Sequence, residues 1–268
     1  MTVPRAHARA LVVGGTDPLG GAGVFADAAT LADLGVVPLV VVTAIVDQDS
    51  HGVRAVQPVD VDAVVAQFRR ALDDGAPGAV KLGALVTAGI ADAVFDALDG
   101  AQPMPRVVDP VLAGGTTDTP SMGSADLALA YARPMPATTL ITPNAPELAR
   151  LLRVARIDRA DALDAAALEL HRRTGAAVLA KAGHVEPAGA DRLVLAGRVQ
   201  RLPVLDAPWR DVHGTGCHLG SAILARLALG DPVDRAVDFG RRWLADQMRD
   251  RVRAVGQGRP QIVHGTTP

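Results

Sequence analysis

The chain of 268 residues carries 27 Lys+Arg against 29 Asp+Glu, a formal charge of −2, so no large basic field is available for general nucleic-acid or membrane-surface binding. With 49% apolar and 21% charged residues it reads as a folded globule with a sizeable core, which excludes a disordered or fibrous chain. Only 3% of residues are aromatic, so that core must be aliphatic. The single cysteine, Cys217, excludes an intramolecular disulfide and a multi-cysteine metal site, and fits a reducing cytoplasm. Residues 1–10 hold no apolar segment of signal-peptide length, and the most apolar stretch, Val36 to Val46, is interrupted by Pro38 and Thr43, so no membrane span is expected.

Strand-like and helix-like runs alternate from the start. Ala10–Gly14 is followed by a helix over Val24–Leu34, Pro38–Ala44 by Val61–Leu72, and Val80–Gly83 by Thr87–Leu98. Arg106–Pro110 comes next, then a Gly/Thr-rich gap, a helix near Ala125–Ala132, a strand at Thr138–Pro143 and a helix ending at Leu152. Ala160–Thr174 is helical and Ala177–Lys181 extended. Runs such as LVVG and RVVDP are continuously apolar, as strands covered on both faces require, so a mainly parallel sheet is predicted. Arg192–Leu195 and Val199–Leu202 flank a glycine-containing turn and read as an antiparallel hairpin. Helices over Thr215–Leu229 and Val233–Arg253 are separated by Gly230-Asp231-Pro232, and Gly256–Pro268 is a polar tail or surface strap. No linker or internal repeat divides the chain, so residues 1–268 read as one domain.

Open α/β sheets place their sites beyond the carboxyl ends of the strands. After the first strand comes Gly14-Gly15-Thr16-Asp17-Pro18-Leu19-Gly20-Gly21-Ala22-Gly23, which either admits a ligand close to backbone or merely shapes a tight turn. Gln48, in Asp47-Gln48-Asp49, offers an acceptor and two donors to a planar polar ring, or is a solvated loop residue. Asp109 and Glu147 at strand ends are candidates to share Mg²⁺, although Glu147 also suits a helix first turn. His213-Gly214-Thr215-Gly216-Cys217 precedes an apolar helix, so Gly214, Thr215 and Gly216 would present free backbone N–H groups to an anion. The positive helix end would also lower the thiol pKa of Cys217, unless the cysteine is simply buried and inert. There is no Walker-type phosphate loop and no paired-histidine zinc spacing.

In order, the segments GGTDPLGGAGVFAD (14–27), TAIVDQDSHGV (43–53), VKLGAL (80–85), VVDPV (107–111), TPNAPE (142–147), AKAGH (180–184) and HGTGC (213–217) resemble the hydroxymethylpyrimidine/phosphomethylpyrimidine kinases of the ribokinase-like superfamily. The resemblance implies a three-layer α/β/α fold, a homodimer, and ATP with Mg²⁺ meeting a hydroxymethyl-pyrimidine over the strand ends. It implies that Gln48 bonds the aminopyrimidine, with Gly15 and Asp27 bordering the pocket, and that Asp109 and Glu147, the latter with Asn144, hold the magnesium shell. Lys181 would neutralise ATP phosphate charge, Gly214–Gly216 would form the anion hole, and Cys217 would help deprotonate the acceptor hydroxyl. Residues 113–122 stand where a mobile lid is expected, without the family's Ser-Gly-Asp pattern. Further departures are Ala84 for methionine, Leu82 for threonine or isoleucine, Asp47 for a small residue and Phe25 for glutamine. The alternative activities are a pyridoxal or pyridoxine kinase and a catalytically weak metabolite-binding protein of the same fold.

Overall fold

The computed structural model describes residues 7–112, 124–183, 185, 189–206, 208–209 and 211–265. The lid expected at 113–122 lies outside the described residues, as does His184 of the AKAGH segment. A nine-stranded sheet runs in the order β3-β2-β1-β4-β5-β6-β7-β8-β9, formed by β1 (Arg9–Gly15), β2 (Val37–Asp49), β3 (Gly52–Pro58), β4 (Ala79–Leu82), β5 (Arg106–Val108), β6 (Thr139–Ile141), β7 (Ala177–Ala180), β8 (Arg192–Leu195) and β9 (Arg198–Arg201). Strands β2, β1, β4, β5, β6 and β7 are mutually parallel, and β3, β8 and β9 are antiparallel additions at the edges.

Along β1, successive side chains leave on opposite faces, and both faces are covered. Leu11 and Val13 pack with helices α2 (Val61–Asp73), α3 (Ala88–Asp99), α4 (Ala125–Tyr131), α5 (Ala145–Leu152) and α6 (Ala160–Thr174) through Phe68, Phe95, Leu127, Leu148 and Leu170. Ala10 and Val12 pack with α1 (Gly23–Asp33), α7 (Thr215–Ala228) and α8 (Val233–Asp250) through Leu31, Ile223 and Val237. The three-layer α/β/α architecture is therefore as expected. Helix starts are where the sequence places capping residues: Asp60, Thr87 and Ser124 each accept a backbone N–H of the following turn.

Two segments differ from expectation. The second strand does not stop at Ala44 but continues to Asp49 and folds back as β3, which periodicity did not reveal. In β3 only Gly52 and Val53 are buried, so its apolar pattern is too thin to mark a strand. Helix α8 ends at Asp250 rather than Arg253, because Val252-Arg253 (β10) pairs antiparallel with Gln261-Ile262 (β11) and buries Val252 and Ile262 beside Val212. The expected polar tail is thus a strap with a buried anchor.

Strand β1 lies between β2 and β4, so the chain leaves β1 in one direction and later returns on its other side. Such a reversal of strand order opens a crevice above the carboxyl ends of the strands. The turn after β1, the loops after β4, β5 and β6, and the start of α7 all meet there.

Candidate active site

At one end of the crevice, three charged side chains converge from separate strands. Lys181, just past β7, places Nζ 3.1 Å from Asp109 Oδ1 and 4.0 Å from Glu147 Oε2. Asp109 follows β5, and its Oδ1 also accepts the Thr142 hydroxyl at 3.1 Å. Glu147 is held by a reciprocal capping box, with Asn144 N donating to Glu147 Oε2 and Glu147 N donating to Asn144 Oδ1, both at 2.8 Å. The two readings of Glu147 are therefore compatible, since the helix-start acid also faces the lysine.

Burial pushes the Asp109 carboxyl up, but the neighbouring Lys181 and Lys81 and the Thr142 hydroxyl hold it below the usual carboxylate range. For Glu147, burial wins, helped by the Asp109 charge against the pull of Lys181, and its pKa is pushed up to about 7. Burial opposes the Lys181 charge, yet Asp109 and Glu147 keep the ammonium firmly protonated. Lys181 thus sits between two carboxylates, with Lys81 acting on Asp109 and Arg150 on Glu147 from farther off. Among the described residues no group of three or more His, Cys, Asp or Glu side chains is placed to hold a metal. A cation here would therefore be held by these two carboxylates, with waters and ligand phosphates completing the shell, which is how Mg²⁺ is bound in phosphoryl-transfer sites.

The start of α7 faces the same charges. A Cβ added to Gly216 would lie 3.4 Å from Lys181 Nζ and 3.5 Å from Asp109 Oδ2, so the helix N-terminus opens directly above the pair. Gly214 is the helix N-cap at φ +76°, where a side chain would stand 1.8 Å from the Gly21 carbonyl oxygen. The Gly-rich turn between β1 and α1 and the loop before α7 are consequently in backbone contact. The buried His218 is tied to the N-cap, its Nδ1 lying 2.8 Å from Gly214 O.

At the other end, Gln48 is half-buried in the distal part of β2, not in a loop after the strand, and its Nε2 donates to Thr16 O at 3.3 Å. Gly15 closes β1 beside Val46. Asp27 does not border open space. It is buried, accepting Lys81 Nζ at 2.7 and 2.8 Å and the Ser221 hydroxyl at 2.8 Å, so the expectation of a ligand contact gives way to a sealed ion pair behind the pocket. Burial disfavours the Lys81 ammonium, but Asp27 more than compensates and raises its pKa. Lys81 was not singled out from the sequence, although a lysine inside the fully buried run Ala79–Leu82 demands a partner.

For Cys217, burial, with Asp27 and Asp109 adding to it, outweighs Lys81 and pushes the thiol up to about 12, which favours the neutral thiol over a standing thiolate. Of the departures from the family pattern, Asp47 and Phe25 are exposed and Leu82 lies in the core, leaving half-buried Ala84 beside Gly14 as the one at the crevice.

The phosphomethylpyrimidine kinase family model matches residues 17–262. The hydroxymethylpyrimidine/phosphomethylpyrimidine kinase of Rhizobium meliloti is 37% identical over 259 residues, covering 95% of this chain and 96% of that protein. The thiamine biosynthesis multifunctional protein ThiED of Corynebacterium efficiens is 34% identical over 97% of this chain, which spans only 35% of that longer protein. Among solved structures, the phosphomethylpyrimidine kinase of Clostridium difficile superposes with a TM-score of 0.76 at 27% identity, covering 89% of this chain and 98% of that one. The Bacillus subtilis pyridoxal kinase, solved as an ADP complex, superposes with a TM-score of 0.83 at 25% identity, covering 97% and 98%. No helix among the described residues is long and apolar enough to cross a membrane. With the family model spanning most of its length and full-length relatives above the 30% level, the chain belongs to the phosphomethylpyrimidine kinase family and has a ribokinase-like fold.

Proposed function

We propose that this chain, as one domain, transfers the γ-phosphoryl group of ATP to the hydroxymethyl group of an aminopyrimidine, to its monophosphate, or to both in turn. The observation that carries this reading is the convergence of Asp109, Glu147 and Lys181 beneath the free start of α7 at Gly216. In this reading the acceptor oxygen forms a bond to the γ-phosphorus, the bridging bond to ADP breaks, and the charge on the transferring group is met by Lys181 and the backbone N–H groups of 215–217. Mg²⁺, held by Asp109 and Glu147, would neutralise phosphate charge. Glu147 would enter that shell as the carboxylate, releasing the proton that its burial favours.

Gln48 is assigned to the ring amino and nitrogen edge and Gly15 to the floor beneath it. Cys217 orients the acceptor hydroxyl as a neutral thiol. Because phosphoryl transfer passes through a loose transition state, the hydroxyl proton need not leave before the phosphorus arrives and passes to a phosphoryl oxygen or to water as the new bond forms, so a standing thiolate is not required. Asp27 acts from behind, fixing Lys81 under α7. A homodimer in a cytoplasmic setting completes the proposal.

The test is ADP release from Mg-ATP with hydroxymethylpyrimidine, its monophosphate and pyridoxal in parallel, with Cys217→Ala as control. Turnover of one or both pyrimidines, reduced at least about tenfold by Cys217→Ala, supports the reading. The TM-score of 0.83 to a pyridoxal kinase gives the second reading its specific support, and turnover of pyridoxal alone would establish it instead. ATP binding without turnover of any of them would favour a metabolite-binding protein.

A further inference from the structure

The strap at residues 256–262 reaches three separate parts of the crevice. Gly258 N donates to Ser50 Oγ at 2.9 Å and Arg259 N to Ser50 O at 2.8 Å, fastening the strap to the tip of the β2–β3 arm that carries Gln48. Gln261 Nε2 donates to Leu19 O at 2.9 Å in the turn after β1. His213 N donates to Pro260 O at 2.9 Å, beside the anion loop.

Arg259 connects these fixings through one histidine. Its Nη2 lies 3.2 Å from His213 Nδ1, while His213 Nε2 lies 2.9 Å from Asp17 Oδ2. A guanidinium only donates and an ionised carboxylate only accepts. The two contacts together require His213 Nδ1 to be the bare acceptor and Nε2 to carry the hydrogen. Asp17 in turn accepts Leu19 N at 3.0 Å and Ala22 N at 2.8 Å, so the chain of donors ends in the backbone of the turn that touches Gly214. The Arg259 side chain is largely buried, with Asp211 3.6 Å away as its carboxylate neighbour.

We propose that Arg259 is a positioning residue: by donating to Nδ1 it locks the ring of His213, whose Nε2–H the Asp17 carboxylate requires, and through Asp17 it holds the turn 17–22 in register with the anion loop 214–217. The proposal rests on the kinase reading for its kinetic consequence and not for its tautomer. Displacing the turn moves Thr16, and with it Gln48, relative to Cys217 and the phosphates. A displacement of about an ångström between reacting groups costs up to about a hundredfold in rate.

The experiment combines nitrogen NMR of histidine-labelled protein with kinetics, using His213→Asn to assign the signal. In the parent, His213 is expected as a single Nε2–H tautomer. Arg259→Ala, in which the Asp17 carboxylate still holds the hydrogen on Nε2, is expected to shift the His213 Nδ1 resonance as its donor is lost and to lower kcat/KM for the acceptor at least about tenfold while KM for ATP changes less than about twofold. Arg259→Lys, again donor-only, should restore both. A parent Nδ1–H tautomer would overturn the proposal even if Arg259→Ala fails to fold. So would an unchanged Nδ1 resonance in Arg259→Ala, or loss of activity that follows melting temperature alone with no rescue by lysine. If the parent turns over none of the acceptors, the kinase reading fails while the nitrogen measurement still decides the role of Arg259.

Discussion

The crevice has two lysine–aspartate pairs of contrasting character. Lys81 and Asp27 are almost wholly enclosed, joined by two short bonds, and completed by Ser221, so one charge is matched to one. Lys181 and Asp109 have a longer contact, a second carboxylate 4.0 Å away, and partial access to solvent on the lysine. The first pair is sealed; the second shares its lysine between two carboxylates and is reachable. Proximity of opposite charges therefore does not mark a reactive site, whereas a shared and reachable cation does.

Breaking the closed pair should produce the largest effect. Lys81→Met leaves Asp27 buried without its cation and is expected to cost about 3–5 kcal/mol of folding stability by urea titration, with much of it recovered in Lys81→Met/Asp27→Leu. Lys181→Ala should lower kcat about a hundredfold while costing less stability than Lys81→Met, because the lysine is itself partly exposed and Asp109 keeps the Thr142 hydroxyl. Equal stability losses in the two variants would erase the distinction between the pairs.

Glu147→Gln sharpens the comparison through pH. The folded pKa of about 7 exceeds the ordinary 4.5, so between those values the folded chain holds the proton more tightly and stability falls as pH rises. The variant should flatten that fall, narrowing the difference between pH 5 and pH 7 by about 1 kcal/mol or more in matched denaturation curves. The smallest effect on the fold is expected from Gly216→Ala, whose methyl would sit at ordinary contact distance from Lys181 and Asp109. Stability should change by less than about 1 kcal/mol while KM for ATP rises, since the methyl stands where phosphate oxygens must approach. A stability loss as large as that of Lys81→Met would show that the helix start is packed rather than open.

The layered fold was legible because continuously apolar strands and capped helices carry their own signals, as β1 and the helix starts at Asp60, Thr87 and Asn144 show. The open charge set was legible too, since Asp109 and Lys181 each terminate an apolar run where a parallel sheet exposes its strand ends. What escaped was anything requiring a distant partner. Asp27 reads as a pocket acid until Lys81 is found 54 positions away, and Cys217 reads as an activated thiol until its burial, with the carboxylates beside it, is known. Strand β3 escaped for a different reason: an edge strand with one solvated face needs few apolar residues.

The contact between Gln261 and Leu19 joins residues 242 positions apart, and that between His213 and Asp17 spans 196. Chain closures of that length come late, because the entropy of bringing the ends together must be met before the contact rewards it. The sheet and the α2–α6 layer can assemble from nearer neighbours, whereas α7 reaches α1 across a span of 194 positions, so that layer and the crevice above it are completed last. During refolding, full helical circular dichroism should precede recovery of turnover, and the interval between them would time the docking of the strap.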